Sequence, residues 1–397
     1  MRPQPVDERA SVSTLELFFD LVFVFAITRV TDIMVADPTG RSVLHGVLVM
    51  AVLWWSWVGY AWLGNVARAD EGIVRVVMFA AMGAVFVTAI AIPEAFDDLP
   101  GGLYGPLVFA IGYFAVRAIH LAAFWLLSRD DPDLRRQLLR FAPSMVLGTT
   151  LLLVASQTTG WVQTSLWIGA LVGDYLGTLL GGEGWRLRSV GHFAERHGLI
   201  VLVALGESIV AIGIGVASRP VTWGIVVAVL LGLIVSGLLW WAYFDVTMLD
   251  AERAFRRARG RRLIRIARNG YSFFHLPMVV GIVLASLGLE IVLEMVADGN
   301  HHRLTDPLSG WPLAGLCGGV ALYLASVALF RWYVAGTLLT HRLAVAAALV
   351  AVLVPLGSAV PALVVLGIVA GVLAVMIGAE LVRYDDLRRR IRHPERA

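Results

Sequence analysis

The sequence predicts an all-α, polytopic membrane protein of about twelve transmembrane helices, organised as two parallel six-helix repeats related by a pseudo-two-fold axis along the membrane normal. Three observations predict it: a composition too apolar for a soluble chain, a regular succession of apolar runs of spanning length, and arginine confined to alternate connections.

Of 397 residues, 58% are hydrophobic and 15% charged, with a mean hydropathy of +0.78. Two soluble domains of this length would carry far more charge, so lipid must solvate most of the surface. All the positive charge is arginine, and there is no lysine. A net charge of +3 and a pI near 9.2 would suit nucleic acid if spread over one face, but the arginines fall between apolar runs, as membrane topology requires. The single cysteine, Cys317, excludes an intramolecular disulfide and a thiolate metal cluster, and its apolar surroundings predict a packing role. The first apolar run is of spanning length and lacks a small-residue cleavage site, so a retained first helix is expected.

A hydrocarbon core of ~30 Å needs roughly 20 apolar residues in a helix. Runs of that kind lie at 15–35, 43–63, 73–92, 104–127, 139–156, 161–180, 197–217, 221–244, 270–293, 311–330, 336–354 and 357–382, with Pro355 and Pro361 interrupting the last two. Counted from a cytoplasmic N-terminus, 27 of the 32 arginines fall on inner segments or, as Arg75, Arg140 and Arg342 do, towards the inner ends of runs; Arg41, Arg219 and Arg303 fall on outer loops, and Arg29 and Arg117 within spans. That asymmetry predicts a protein of the cell membrane with both termini cytoplasmic. The expected organisation is a cytoplasmic segment 1–14, a first repeat 15–182, a second repeat 183–382 and a basic tail 383–397. Within the second repeat, the basic loop 251–268 is expected to form an amphipathic helix against anionic headgroups.

The repeat rests on an ungapped match of Glu16–Thr28 to Glu195–Glu207. In addition, Trp54-Trp55-Ser56-Trp57 matches Trp240-Trp241-Ala242-Tyr243, and Met82 and Glu94 match Met278 and Glu290 at one offset. A six-span unit is even in number, so both copies enter from the same side. The segment Ser13–Thr28, the Trp54-Trp55 pair and the segment His192–Ser208 together resemble the bacterial low temperature requirement protein A family over nearly the whole chain. That resemblance implies a multi-spanning bacterial inner-membrane protein named for a cold-growth phenotype, hence a link to stress response. It implies no substrate and no reaction.

Ionisable side chains at membrane depth are the functional candidates, because each costs ~2.5–3.5 kcal/mol to insert. Glu16 and Asp20 stand four residues apart on one face of the first helix, with Thr28 near the same stripe and Arg29 and Asp32 placed to pair. Arg117 and His120 lie halfway along the fourth helix, Asp174 in the sixth, and Glu207 with Ser208 near the middle of the seventh. Glu16 is alternatively a capping residue after Ser13 and Thr14. Asp20, Arg117, Asp174 and Glu207 have two readings: a static network that neutralises Arg117, or carboxylates converging on an aqueous path in which His120 titrates near neutrality. Three acids against one permanent cation favour protons or cations.

Glu16, His192, Glu195, Arg196 and His197 are candidate gate residues at the cytoplasmic mouth. His192, Glu195 and His197 have a spacing that could bind a divalent metal, but solvated charge is the expected state there, and no metal site or cofactor is predicted. His275 and His341 are expected to be interfacial. The glycines at 169, 173 and 177, like those at 213 and 215, suit close helix contact. There is no Walker loop, dinucleotide fingerprint, nucleophile elbow or His-x-x-x-His pair, and no folded domain for nucleic acid. The expected partners are membrane lipids and a proton, cation or small solute. The expected function is a secondary transporter or ion conductor worked by rocking of the halves, with a membrane enzyme acting on lipid or a non-catalytic scaffold as alternatives.

Overall fold

The computed structural model describes residues 11–129, 131–180, 185, 187–217 and 219–384, so the first ten residues and nearly all of the expected basic tail lie outside it. A backbone in hydrocarbon must satisfy its N–H and C=O groups internally. The described residues do so as helices, with no β-strand among them. All twelve apolar runs coincide with helical segments. These are α1 (Thr14–Ala36), α2 (Gly40–Val66), α3 (Gly72–Ile90), α4 (Gly105–Leu127), α5 (Pro132–Ala155) and α6 (Gly160–Leu180). They continue with α7 (Val190–Gly215), α8 (Trp223–Phe244), α9 (Thr247–Arg257), α10 (Gly260–Arg265), α11 (His275–Ala297), α12 (Gly310–Ala335), α13 (Thr340–Ala348), α14 (Val354–Gly357) and α15 (Ala362–Arg383).

Ten helical stretches among the described residues are long and apolar enough to cross a membrane, and the chain is a multi-pass membrane protein. The two further helices, α1 and α6, are diluted by polar residues: Glu16, Asp20, Arg29 and Asp32 in the first, Gln163, Thr164, Ser165 and Asp174 in the second.

Helix ends run past the apolar stretches where local chemistry favours it. Helix α5 begins at Pro132, a turn and more before its apolar run, because the Asp131 side chain accepts from Leu134 N at 3.1 Å and proline fits the first helical position. The basic loop is not one amphipathic helix: α9 ends at Arg257, Gly260 takes a positive φ of 56°, and α10 leads into a π-helical stretch, Ile266–Phe273.

The described residues form two compact units: 11–33, 41–196 and 260–267 in the first; 34–40, 197–259 and 268–384 in the second. In the first, α2 is central. Its Tyr60 ring packs on Phe19 of α1 and its hydroxyl donates to Val116 O of α4 at 2.8 Å, while Trp55 stacks on Tyr175 of α6. Trp54, Trp55, Trp57 and Trp62 are all buried, so this cluster fills the interior.

The second unit is built round α11 and α12, which approach until backbone meets backbone. A Cβ on Gly281 would lie 2.7 Å from Gly319 O, one on Gly288 2.7 Å from Pro312 O, and one on Gly319 2.5 Å from Ala285 N. Among the glycines read from sequence as contact points, Gly177 touches Ser144 and Gly215 touches the Glu290 backbone, whereas Gly213 faces open space.

The connection from α11 to α12 is tied by Asp298, which accepts from His301 Nδ1 at 2.9 Å and Arg219 at 3.0 Å. The His301 hydrogen bond, then the Arg219 charge, hold this carboxyl below its ordinary value. A depressed carboxyl contributes order above its unfolded value and loses it as pH falls through the folded one. Amide protection factors over 298–302, corrected for the intrinsic pH dependence of exchange, should therefore fall as pH drops below about 4. The paired glycines make a sharper prediction. Gly319→Ala should destabilise the protein by about 1–3 kcal/mol in detergent thermal unfolding, since backbone atoms cannot yield. Gly318→Ala, where a Cβ meets nothing, should be neutral or stabilising by up to about 1 kcal/mol.

Candidate functional site

Glu16 and Asp20 share one face of α1 because they are four residues apart, and His192 and Arg196 share one face of α7 for the same reason. The two helices lie locally parallel and present these faces to each other as a two-rung ladder. His192 Nε2 stands 3.0 and 3.1 Å from the two Glu16 oxygens, and Arg196 donates to Asp20 Oδ2 at 2.8 Å. All four side chains are buried, Arg196 completely.

The supports come from neighbouring elements. Trp57 Nε1 of α2 donates to Asp20 Oδ1 at 2.9 Å, and the Arg196 guanidinium lies over the Trp57 ring. Arg196 also donates to the Glu16 carbonyl at 2.9 Å. Ser13 donates to Glu16 through both its backbone N–H and its hydroxyl, each at 2.9 Å. Glu16 is thus a capping residue and a buried charge partner at once. Asn65, fully buried on α2, donates to Ser189 O at 2.7 Å and accepts from Arg188 N at 2.8 Å, which fixes the start of α7. Its amide also approaches His192 Nδ1 at 3.4 Å. With that nitrogen as acceptor, the ring proton sits on Nε2 and is donated to Glu16. A Cβ at position 64 would run into Glu16 Oε1, so glycine there leaves room for the carboxylate.

The chemistry follows from the charge count. Two carboxylates share one permanent cation, and the fourth member is a histidine whose Nε2 faces both Glu16 oxygens. Two acids and one guanidinium are thus gathered with an imidazole at a place where uncompensated charge is expensive.

Arg117 belongs to a second cluster in the same unit. Its Nη2 lies 3.3 and 3.4 Å from the Asp174 oxygens, and Tyr113 donates to Asp174 at 3.3 Å. These are long for charge-assisted bonds, which centre on 2.7–2.9 Å. Arg117 Nε has no partner among the described residues. Asp174 is thus the carboxylate that meets Arg117, while Asp20 has a separate cation, because it faces the start of α7 and α2. His120 is buried between the edges of Tyr60 and Phe124 with Gly59 beneath its ring.

The remaining candidates are dispersed. Thr28 donates back to Val24 O within α1, and Arg29 pairs with Asp32 at 2.6 Å. Glu195 accepts from Val12 N at 3.1 Å. His197, in the second unit, packs on the rings of Tyr271 and His275, so His192, Glu195 and His197 engage different partners. No group of three or more metal-binding side chains occurs among the described residues. Glu207 is fully buried in the second unit, and the adjacent Ser208 meets Ser236 at 2.9 Å.

Sequence reasoning missed several partners. Trp57 looked like packing, and Asn65 was not singled out. In the second unit Arg342 grips Glu380 with two nitrogens at 2.6 and 2.7 Å and donates to Ala242 O at 2.8 Å. His275, expected at an interface, is fully buried and meets the Tyr243 hydroxyl at 2.7 Å. The available signal was Glu380, the one acid in an otherwise apolar final run.

Residues 11–378 match the family described as Bacterial low temperature requirement A protein (LtrA). The chain belongs to the LtrA family. All four members of the quartet lie within the matched residues, and the resemblance read from Ser13–Thr28 and His192–Ser208 is thereby established. An uncharacterised protein of Rhizobium meliloti (strain 1021) is 28% identical to this LtrA protein over 322 residues, covering 78% of this chain and 76% of that one. No solved structure matches the chain.

If the ladder is the electrostatic unit described, Arg196→Met strands two buried carboxylates and should cost about 3–5 kcal/mol. Adding Asp20→Asn to it should recover a substantial part of that loss, a non-additivity read by thermal unfolding of the two single variants and the double variant in detergent.

Proposed function

We propose that this LtrA protein is a secondary transporter or ion-conducting protein that carries protons or cations, with Glu16, Asp20, His192 and Arg196 as its ion-binding element. The observation that carries this reading is the buried quartet, in which two carboxylates face one permanent cation. A static pair needs one acid for each arginine. Here the extra carboxylate, bonded to a titratable ring, is where an arriving proton or cation would be held.

The reading extends to topology. Arginine on inner segments supports a protein of the cytoplasmic membrane with both termini inside. The ordered matches between the first three spans and the seventh to ninth support a duplicated chain with two parallel six-helix repeats. The locally parallel approach of α1 and the first turns of α7 agrees with that parity.

The test is proton flux in proteoliposomes with the full chain. Asp20→Asn and Glu16→Gln should each lower flux at least about tenfold, a loss of ~1.4 kcal/mol or more in the transported step. Arg303→Ala, on an outer loop, should leave it unchanged. Equal flux in wild type, Asp20→Asn and Glu16→Gln would remove the proton reading, and Glu207→Gln acting alone would move the site to the second unit.

A further inference from the structure

A lateral groove in the first unit takes no part in the quartet. It lies between α4 and α5, has a volume of about 650 Å³, and is lined on one side by residues from Phe114 to Leu126 and on the other by residues from Leu138 to Leu153. Small residues on the facing helices, Ala118, Ala122 and Ala142, give it depth. Its rims are outward-facing apolar side chains: Trp125 is 45% exposed, Phe114 51%, Leu139 57% and Val146 58%.

We propose that this groove binds one acyl chain of an anionic phospholipid, with the lipid phosphate held by Arg135 at the α4–α5 end. Length is the first argument. The twelve-residue rise from Phe114 to Leu126 is about 18 Å, close to the ~15 Å hydrocarbon depth of one leaflet. A groove of that length matches one acyl chain running from an interface towards the midplane.

Charge is the second argument. Arg135 extends the α5 stripe of Leu138, Leu139, Ala142 and Met145 by one turn, so it stands at the end of the groove. Its guanidinium lies 5.1 Å from the Trp125 ring centroid, which holds it beside the rim, and its Nε has no partner among the described residues. Arg129 is exposed just beyond the end of α4. Among the described residues the nearby acids are engaged: Asp131 caps α5 and Asp133 pairs with Arg136. A tryptophan beside arginines at a helix end is the usual dress of a headgroup level. Among the described residues the one ionisable side chain in the groove's lining is Arg117, which is buried and gives its Nη2 to Asp174, so the deep half is otherwise apolar and suits a tail.

The test uses the full-length protein, equilibrated in vesicles of equal phosphatidylglycerol and phosphatidylcholine, extracted, and analysed by native mass spectrometry for retained lipid. Wild type should retain one phosphatidylglycerol with about fivefold preference over phosphatidylcholine, the effect of one arginine near an anionic headgroup. Arg135→Gln should abolish the preference. Ala142→Trp, which fills the groove, should abolish retention, and Ala142→Leu should weaken it, which keeps the test valid if the larger residue disturbs folding. Val375→Trp, on α15, should behave as wild type. Equal retention of both lipids by wild type, or undiminished phosphatidylglycerol on a correctly folded Ala142→Leu protein, would overturn the proposal.

Discussion

Burying charge where water cannot follow is the constraint that organises this protein. Deeply buried cations are met by carboxylates on other helices, among them Arg196 by Asp20, Arg117 by Asp174 and Arg342 by Glu380. Such pairs contribute little net stability, because desolvation offsets most of their attraction. What they specify is which helix faces belong together. In the first unit they select the approach of α1 to α7 and of α4 to α6, and in the second that of α13 to α15.

The three pairs are not equally well made. Arg342 and Glu380 meet with two short bonds, and Arg342 also takes up a carbonyl near the end of α8. Arg196 and Asp20 are short and backed by Trp57. Arg117 and Asp174 are long, and both Arg117 and Arg196 keep guanidinium donors with no partner among the described residues. That ranking separates a clasp from two places where charge is held with capacity to spare, and only the ladder of α1 and α7 also carries a surplus acid.

The helices were legible because the bilayer writes its thickness into the chain as apolar runs, so all twelve segments could be located from composition and arginine placement. Their ends were less so, since α5 begins on charged residues where Asp131 and Pro132 favour a helix start. Asp20 could be named from its cost at membrane depth and Glu16 from sharing its face, whereas His192 and Arg196 were expected as solvated residues of a cytoplasmic mouth and are instead buried. Their pairing was not visible. Nothing in one sequence says that the face of α1 meets the first turns of α7 rather than Arg117, and Glu16 near a helix start looks the same whether it caps or conducts. The close α11–α12 contact was hidden for a related reason: Gly281 and Gly319 matter together, and their meeting is a tertiary fact.

Asn65 anchors the start of α7. By gripping the backbone at 188 and 189 it sets the rotational phase of α7 at its origin, and both rungs inherit that phase. A slip of one residue turns a helix by 100° and shifts it 1.5 Å, which would unseat the histidine and the arginine in the same stroke. The next register that could offer similar faces lies a whole turn away. A change of register at this junction would therefore come in whole-turn steps rather than by a gradual slide.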